Sequence, residues 1–471
     1  MSTEQIGRDF AAPGNRALAL ATILAAQLML QMDFLIVIVA LPRIQADLGF
    51  TPAGLSWVPN AFALAFGGLL LLGGRLGDMF GQVKAFQAGL AVFVLASLLG
   101  GLIQAPSILI LARVLQGVGA ALAGPSVLAL ITVMARDEAE RNRGLALFIA
   151  VSSVGASAGL ILGGVLTDLA SWRWSLLINV PVGAVVLVMI RYLVAETVTK
   201  PSRLDFGGAA TATLGSVALV YGFINAADRG WTSFGTAPSF AVAAVMFVAF
   251  ASIERRVSEP LLDLALLRSR PRMAGIVVMA LIVGMHFSML FLIVQYLQRV
   301  LGFGALAAGL AYLPLTATVF VVTHFIPKLI VHFGARLLLM AGSVLVAFSL
   351  ACFGLVGDGS RYFPAIIIAM IIHAVGIGLV FAPGTVAIME GVPGEQAGTA
   401  SGLLQMDQQI GGALGIAVIA AVYSSASVPG EFVPGLWAAF NVGAVVSLVA
   451  GLIAWKGIPP KKVCPGLLVP G

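Results

Sequence analysis

Fourteen apolar runs, most of about 20 residues or more, recur along the 471-residue chain at nearly even spacing, and few folds are open to such a chain. Splitting at charges, prolines and turn residues places them at 17–42, 53–73, 84–105, 107–135, 144–168, 173–194, 206–226, 238–256, 272–298, 303–327, 335–356, 361–391, 397–424 and 434–456. Runs of this length can cross the roughly 30 Å hydrocarbon core of a bilayer as helices. Inside lipid a helix is favoured because it pairs its own backbone N–H and C=O groups. Composition agrees: 60% of residues are hydrophobic and 10% charged, against about 45–50% and 25% in a soluble domain. The expected fold class is an all-α polytopic membrane protein.

An even number of spans puts both termini on one side, and the basic residues say which. The N-terminus and every second loop carry 20 Lys and Arg; the other side carries five, Arg43, Arg173, Arg229, Arg299 and Arg361. Both termini are therefore expected in the cytoplasm, and the remaining basic residue, Arg113, falls inside run 4. The net charge of +6 follows from this topology and implies no nucleic-acid partner. Met1 to Asn15 lacks the pattern of a signal peptide and reads as a short cytoplasmic tail. Cys352 and Cys464 imply neither a disulfide framework nor a metal site.

The longest charged connector, Glu254 to Arg272, holds five Arg with Glu254, Glu259 and Asp263. Runs 7 and 8 before it hold no charge within the membrane and read as a spacer pair between two six-helix bundles. The expected division is 1–195, 196–271, 272–460 and a tail, 461–471. A faint internal echo supports it. Gly81-Gln82-Val83-Lys84 follows run 2 and Gly334-Ala335-Arg336 follows run 10; glycines crowd runs 5 and 13 alike. Paired halves are the usual build of a secondary transporter, with the site between them at midplane.

Charges inside spans are the candidate functional groups, because each costs roughly 2.5 kcal/mol or more at the bilayer centre. Asp33 lies in run 1, about 24 Å from its cytoplasmic start, and Arg113 about 9 Å from the outer start of run 4. These depths fall at one level in the outer half, so the two are expected to face a common cavity. Asp407, in Gln405-Met406-Asp407-Gln408-Gln409 of run 13, sits about 15 Å deep, near midplane. Run 5 carries Gly155, Gly159, Gly163 and Gly164, a smooth stripe whose blandest role is close helix packing. The loop after run 2 places Asp78 between Gly74, Gly77 and Gly81, where it could meet the positive end of a neighbouring helix. His286 lies at the depth of Asp33 and is a candidate proton relay; lone histidines in apolar helices are more often packed and hydrogen-bonded, the reading given to His324, His332 and His373. Glu390 is expected in solvent. Nothing resembles a nucleotide-binding loop, a nucleophile elbow or a metal cluster, which argues against an ATPase or membrane enzyme.

Met32-Asp33 through Ala40-Leu41-Pro42, the Gly74/Asp78/Gly81 loop with Lys84, Arg113-Val-Leu-Gln116-Gly117, the glycines of run 5, and Trp172-Arg173-Trp174 to Asn179-Val180-Pro181 together resemble motifs of the major facilitator superfamily. With fourteen spans the resemblance is to its second drug:proton antiporter family. It implies two six-helix bundles plus two linker helices, and proton-driven export of small amphiphilic, often cationic drugs by rocking of the bundles. Asp33 and Arg113 would couple protons, Gly74, Asp78, Gly81 and Lys84 form the conformational switch loop, and Gly155, Gly159, Gly163 and Gly164 the antiporter motif. Gln116, Gln405, Gln408 and Asp407 are read as selecting a cationic substrate. The chain departs from the family at Met79, Gln82 and Val83, where basic residues are usual, at Gly159-Leu160, where Gly-Pro is usual, and at Gln408, where Arg is frequent. The expected protein is a monomer in a bacterial inner membrane, driven by the proton gradient without a cofactor. A dedicated exporter of one endogenous product, such as an antibiotic, and a non-transporting sensor or scaffold are the rival readings.

Overall fold

The computed structural model describes residues 13–197, 199, 205–257, 260–262, 266–392, 397–428 and 431–460. Most of the N-terminal tail, the 461–471 tail with Cys464, and Lys200, Arg203, Glu259 and Asp263 lie outside the described residues.

Among the described residues, thirteen segments are long and apolar enough to cross a bilayer. One of them, Ala305–Gly354, has 50 residues, which at about 1.5 Å each would be more than twice the hydrocarbon thickness. Gly334 resolves the excess. Its backbone (φ 74°, ψ 162°) is not helical, so the segment is two crossings and the described residues hold fourteen. They are α1 Pro13–Leu48, α2 Trp57–Phe80, α3 Gln82–Leu102, α4 Pro106–Met134, α5 Glu138–Leu169, α6 Asn179–Leu193, α7 Phe206–Arg229, α8 Thr236–Glu254, α9 Arg270–Arg299, α10 (313–333), α11 (335–354), α12 Ile367–Met389, α13 Ala397–Ala426 and α14 Val433–Gly457.

Two boundaries differ from the sequence expectation for one reason. Run 1 was expected to stop at Pro42 and run 10 at Pro327, yet α1 continues to Leu48 and α10 passes Pro327. Proline is tolerated in membrane helices because neighbouring groups satisfy the carbonyl it frees. The actual stop in α10 is Gly334, as it is Gly81 (φ 103°) after α2. A positive φ suits glycine, and it falls at the same place in each six-helix set.

Lipid offers helices little hydrophobic drive to associate, so close packing between small residues has to hold them. A Cβ on Gly119 would come 2.5 Å from Gly89 O, joining α3 to α4; one on Gly376 would come 2.8 Å from Gly342 O, joining α11 to α12. The stripe on α5 lies against α1: a Cβ on Gly155 would be 3.2 Å from Gln31 Cβ, one on Gly159 2.8 Å from Met32 O, and one on Gly163 would strike Ile36 O. In the second half a Cβ on Gly411 of α13 would be 2.7 Å from Ala280 Cα of α9. With Leu160 in place of the usual proline, α5 runs unbroken from Glu138 to Leu169.

The pair α7–α8 does more than space the halves. α7 packs between α2 and α13: Leu72, Ala209 and Leu261 form a small apolar cluster, the Trp57 and Tyr221 rings lie 6.3 Å apart, and Ser424 Oγ donates to Ala227 O at 2.8 Å. Only α8 is peripheral, with Val245 and Val248 exposed. Arg75 at the end of α2 donates to Pro260 O, which ties the connector to the end of α2.

The described chain begins and finishes at one end of the bundle, the terminal end. At the opposite, distal end the halves are joined. Asp168, closing α5, accepts from Ala305 N (3.0 Å) and Leu306 N (2.7 Å), Gln298 Nε2 donates to Val39 O (2.8 Å), and Arg299 bonds Gln45. Gly164 lies against the same Ala305–Leu306 turn.

Candidate functional site

Asp33 and Arg113 meet. Arg113 Nη1 donates to Asp33 Oδ2 at 2.5 Å, and both side chains are 0% exposed. Taking two such charges out of water is costly, and the attraction between them offsets that cost only if the remaining polar atoms are also satisfied. Asp33 Oδ1 accepts from Gln116 Nε2 (3.0 Å) and Asn179 Nδ2 (2.7 Å). Arg113 also donates to Gln116 Oε1 (2.8 Å) and, through Nε, to Val58 O (3.0 Å); among the described residues its Nη2 has no hydrogen-bond partner, and its guanidinium lies 4.6 Å from the Phe62 ring centre, a favourable cation–π position. Ser97 Oγ accepts from Gln116 (2.7 Å) and donates to Phe93 O (2.8 Å). One carboxylate thus ties α1 to α4 and α6 directly, and to α2 and α3 through its partners.

The expected common cavity is not what surrounds this pair. The cluster is sealed, with the Phe34 ring tilted against Phe62 (centres 6.1 Å apart) on one side and 4.8 Å from Phe287 of α9 on the other. A cavity of about 480 Å³ lies instead at the distal surface, lined by Arg43, Asp47, Thr167, Asp168, Trp172 and Arg173. There Asp47 accepts from Trp172 Nε1 (2.9 Å) and Arg173 Nη1 (2.7 Å).

Gln116 belongs to the Asp33 cluster by contact. Asp407 stands apart from it, partly buried on α13, with Oδ2 shielded and unpartnered, as is Gln409 Oε1. Gln405 and Gln408 are partly buried on the same segment, which lies against Gly67 of α2. His286 is partly buried and meets fully buried His373 at 3.1 Å; His324, His332 and Glu390 are exposed.

In the switch loop the carboxylate at a helix start is not Asp78. Glu196 holds that place, accepting from Val83 N and Lys84 N at 3.0 Å each, where α3 begins with its positive end. Among the described residues Asp78 accepts from Gln82 Nε2 at 2.9 Å, so the glutamine that replaces a usual base holds the acid. Gly74 faces Pro125 of α4. Sequence reading missed Asn179, Ser97, Glu196 and Asp168. Asn179 alone gave a signal, as a polar residue opening an apolar run within a quoted motif.

Comparison with known proteins bears on the same residues. The family model of the Major Facilitator Superfamily matches residues 23–416 and 329–463. The chain is 37% identical over 401 residues to the uncharacterized MFS-type transporter EfpA of Mycobacterium tuberculosis, covering 85% of this chain and 75% of that one. It is 36% identical over 466 residues to the cephamycin export protein CmcT of Amycolatopsis lactamdurans (96% and 94%), and 37% over 412 residues to the puromycin resistance protein pur8 of Streptomyces alboniger (87% and 82%). A crystal structure of peptide transporter POT shares the fold, with TM-score 0.72 at 15% identity over 97% of this chain and 98% of that one. The chain therefore belongs to the Major Facilitator Superfamily, a transporter rather than an enzyme, with the fourteen-helix build of that superfamily's drug:proton antiporters.

Proposed function

We propose that the protein is a proton-coupled antiporter that exports small amphiphilic, mostly cationic compounds by alternating access, and the sealed Asp33–Arg113 cluster is the observation that carries this reading. Protonating Asp33 removes its charge, so Arg113 loses its anion and Gln116 and Asn179 lose a strong acceptor. Five helices share those bonds, so one proton changes how they pack. The arrangement with the distal end joined and Asp33 paired corresponds to the state that has released its proton. Relatives named for cephamycin export and puromycin resistance support export of antibiotic-like molecules.

In this reading both termini face the cytoplasm of a bacterial cell, the distal cavity faces outward, and the chain works as a monomer in the inner membrane with no cofactor. Residues 1–195 and 272–460 are the rocking halves. The switch loop (Gly74, Asp78, Gly81, Lys84) and the α5 glycines guide the motion, while Asp407 with Gln405 and Gln408 attracts the substrate cation through an unpaired carboxylate in a low-dielectric setting. The test is efflux of a lipophilic cationic dye from vesicles under an imposed pH gradient. Asp33→Asn, compared at equal amounts in the membrane, is expected to reduce gradient-driven efflux to background. Full transport by that variant overturns the proton role.

A further inference from the structure

His286 of α9 and His373 of α12 occupy helices that match α1 and α4 by position in their half, the two helices that bring Asp33 and Arg113 together. The match is finer than helix order. His373 precedes Gly376 by three residues as Gln116 precedes Gly119, and each of those glycines packs against its partner helix in the same way.

The two rings meet Nδ1 to Nε2 at 3.1 Å, with ring centres 5.3 Å apart and planes inclined by only 19°. The centre separation is close to the nitrogen distance plus one ring radius at each end. The rings therefore lie edge to edge and nearly coplanar, so that the lone pair of one faces the N–H of the other. His373 is fully buried, and its outer nitrogen, Nδ1, has no hydrogen-bond partner. His286 is partly exposed beside Phe287, the ring that touches Phe34 next to Asp33.

Among the described residues no charged side chain bears on either ring. On α1, Asp33 is engaged by Arg113 behind the Phe34–Phe287 contact. On α13, Asp407 lies toward the terminal end from the Gly411–Ala280 contact. α14 brings no charge before Lys456, α10 carries His324, Lys328 and His332 in its terminal half, and α11 carries Arg336 at its start and Cys352 near its distal end. Tyr312, just before α10, gives its hydroxyl to Leu290 O at 3.0 Å. Among the described residues each ring's only close titratable partner is the other.

We propose that His286 and His373 form a second proton-binding site, which takes up one proton as a shared imidazolium–imidazole pair. The proposal rests on the reading of the protein as a proton-coupled exporter, and it gives each half its own proton. A proton arriving at the bare outer nitrogen makes one ring an imidazolium, which donates its bridging N–H to the other. Shifting that hydrogen across the bridge moves the charge to the second ring, whose outer N–H then releases the proton. A charge-assisted hydrogen bond is about twice as strong as a neutral one. The pair therefore holds a proton better than a single imidazole in the same apolar place.

Titrating ¹⁵N-histidine-labelled protein in micelles tests this, since the chain has only four histidines. The expected result is that both rings shift together with one midpoint between about pH 8 and pH 5. A pH-stat should record one proton fewer per chain over that range for His373→Gln, whose amide nitrogen stands near the ring Nε2 it replaces. His286→Asn, which mimics the other bridging nitrogen, gives the same reading if the first variant does not fold. Rings that stay neutral to pH 5, or that titrate with unlinked midpoints, overturn the proposal. Dye efflux by Asp33→Asn decides the export reading separately, so failure of the one is distinguishable from failure of the other.

Discussion

Each half of this transporter holds a polar pair between its first and fourth helices, and the two pairs differ in what surrounds them. In the N-terminal half the pair is charged, Asn179 of α6 bonds it directly, and Ser97 of α3 holds its partner Gln116. In the C-terminal half two hydroxyls on the corresponding helices go to backbone: Ser349 of α11 bonds Ala369 O and Ser447 of α14 bonds Gly443 O. The histidines are left with one hydrogen bond between them. The same helix geometry can thus hold an ion pair or a neutral pair, and the hydroxyl and amide groups on the flanking helices match which.

Stability gives the largest contrast. Arg113→Ala leaves Asp33 buried without its cation, a change worth about 3–5 kcal/mol. His373→Phe keeps a ring and removes one hydrogen bond, which costs about 1–3 kcal/mol. Melting of the purified variants in detergent should therefore show Arg113→Ala falling much further, and equal losses would break the comparison. The second contrast sets Asp407 against Asp33. Asp33 has three donors on it, whereas Asp407 Oδ2 has none. Asp407→Asn is expected to weaken export of a cationic compound by roughly tenfold, about 1.4 kcal/mol, and to spare a neutral one. Equal loss of both at matched expression refutes a selective role. The smallest effect concerns the bond between halves. Asp168→Asn removes a charge from the start of the helical turn Ala305–Leu310, worth about 0.3–1 kcal/mol, so distances between spin labels at Ala46 and Phe303 should broaden toward an open distal end. An unchanged distribution shows that the neighbouring packing alone keeps that end shut.

Much of this was legible in the sequence because lipid is an unforgiving solvent. The spans announced themselves by length, and Asp33 and Arg113 by the cost of a charge at that depth. Their meeting followed from counting residues along two helices. Ser97 and Asn179 were not legible as partners, since hydroxyls and amides are tolerated in membrane helices and these bonds join separate helices, 19 positions apart for Ser97 with Gln116 and 146 for Asn179 with Asp33. Asp168 and Glu196 were hidden for another reason: each sits at a span end, where an acid is ordinary, and its value lies in which helix start it meets. Pro42 and Pro327 misled because proline ends soluble helices more reliably than buried ones.

The position of α7 changes how the bilayer meets this protein. A twelve-helix build would leave two seams between its halves open to lipid, α2 against α13 and α5 against α10. Here α7 covers the first along its length. At the second, the halves close only at the distal turn, and Leu147, Val154, Phe320 and Phe325 stay exposed. Lipid on the terminal side therefore meets the added helix α7 on one flank and the bare apolar side chains of α5 and α10 on the other.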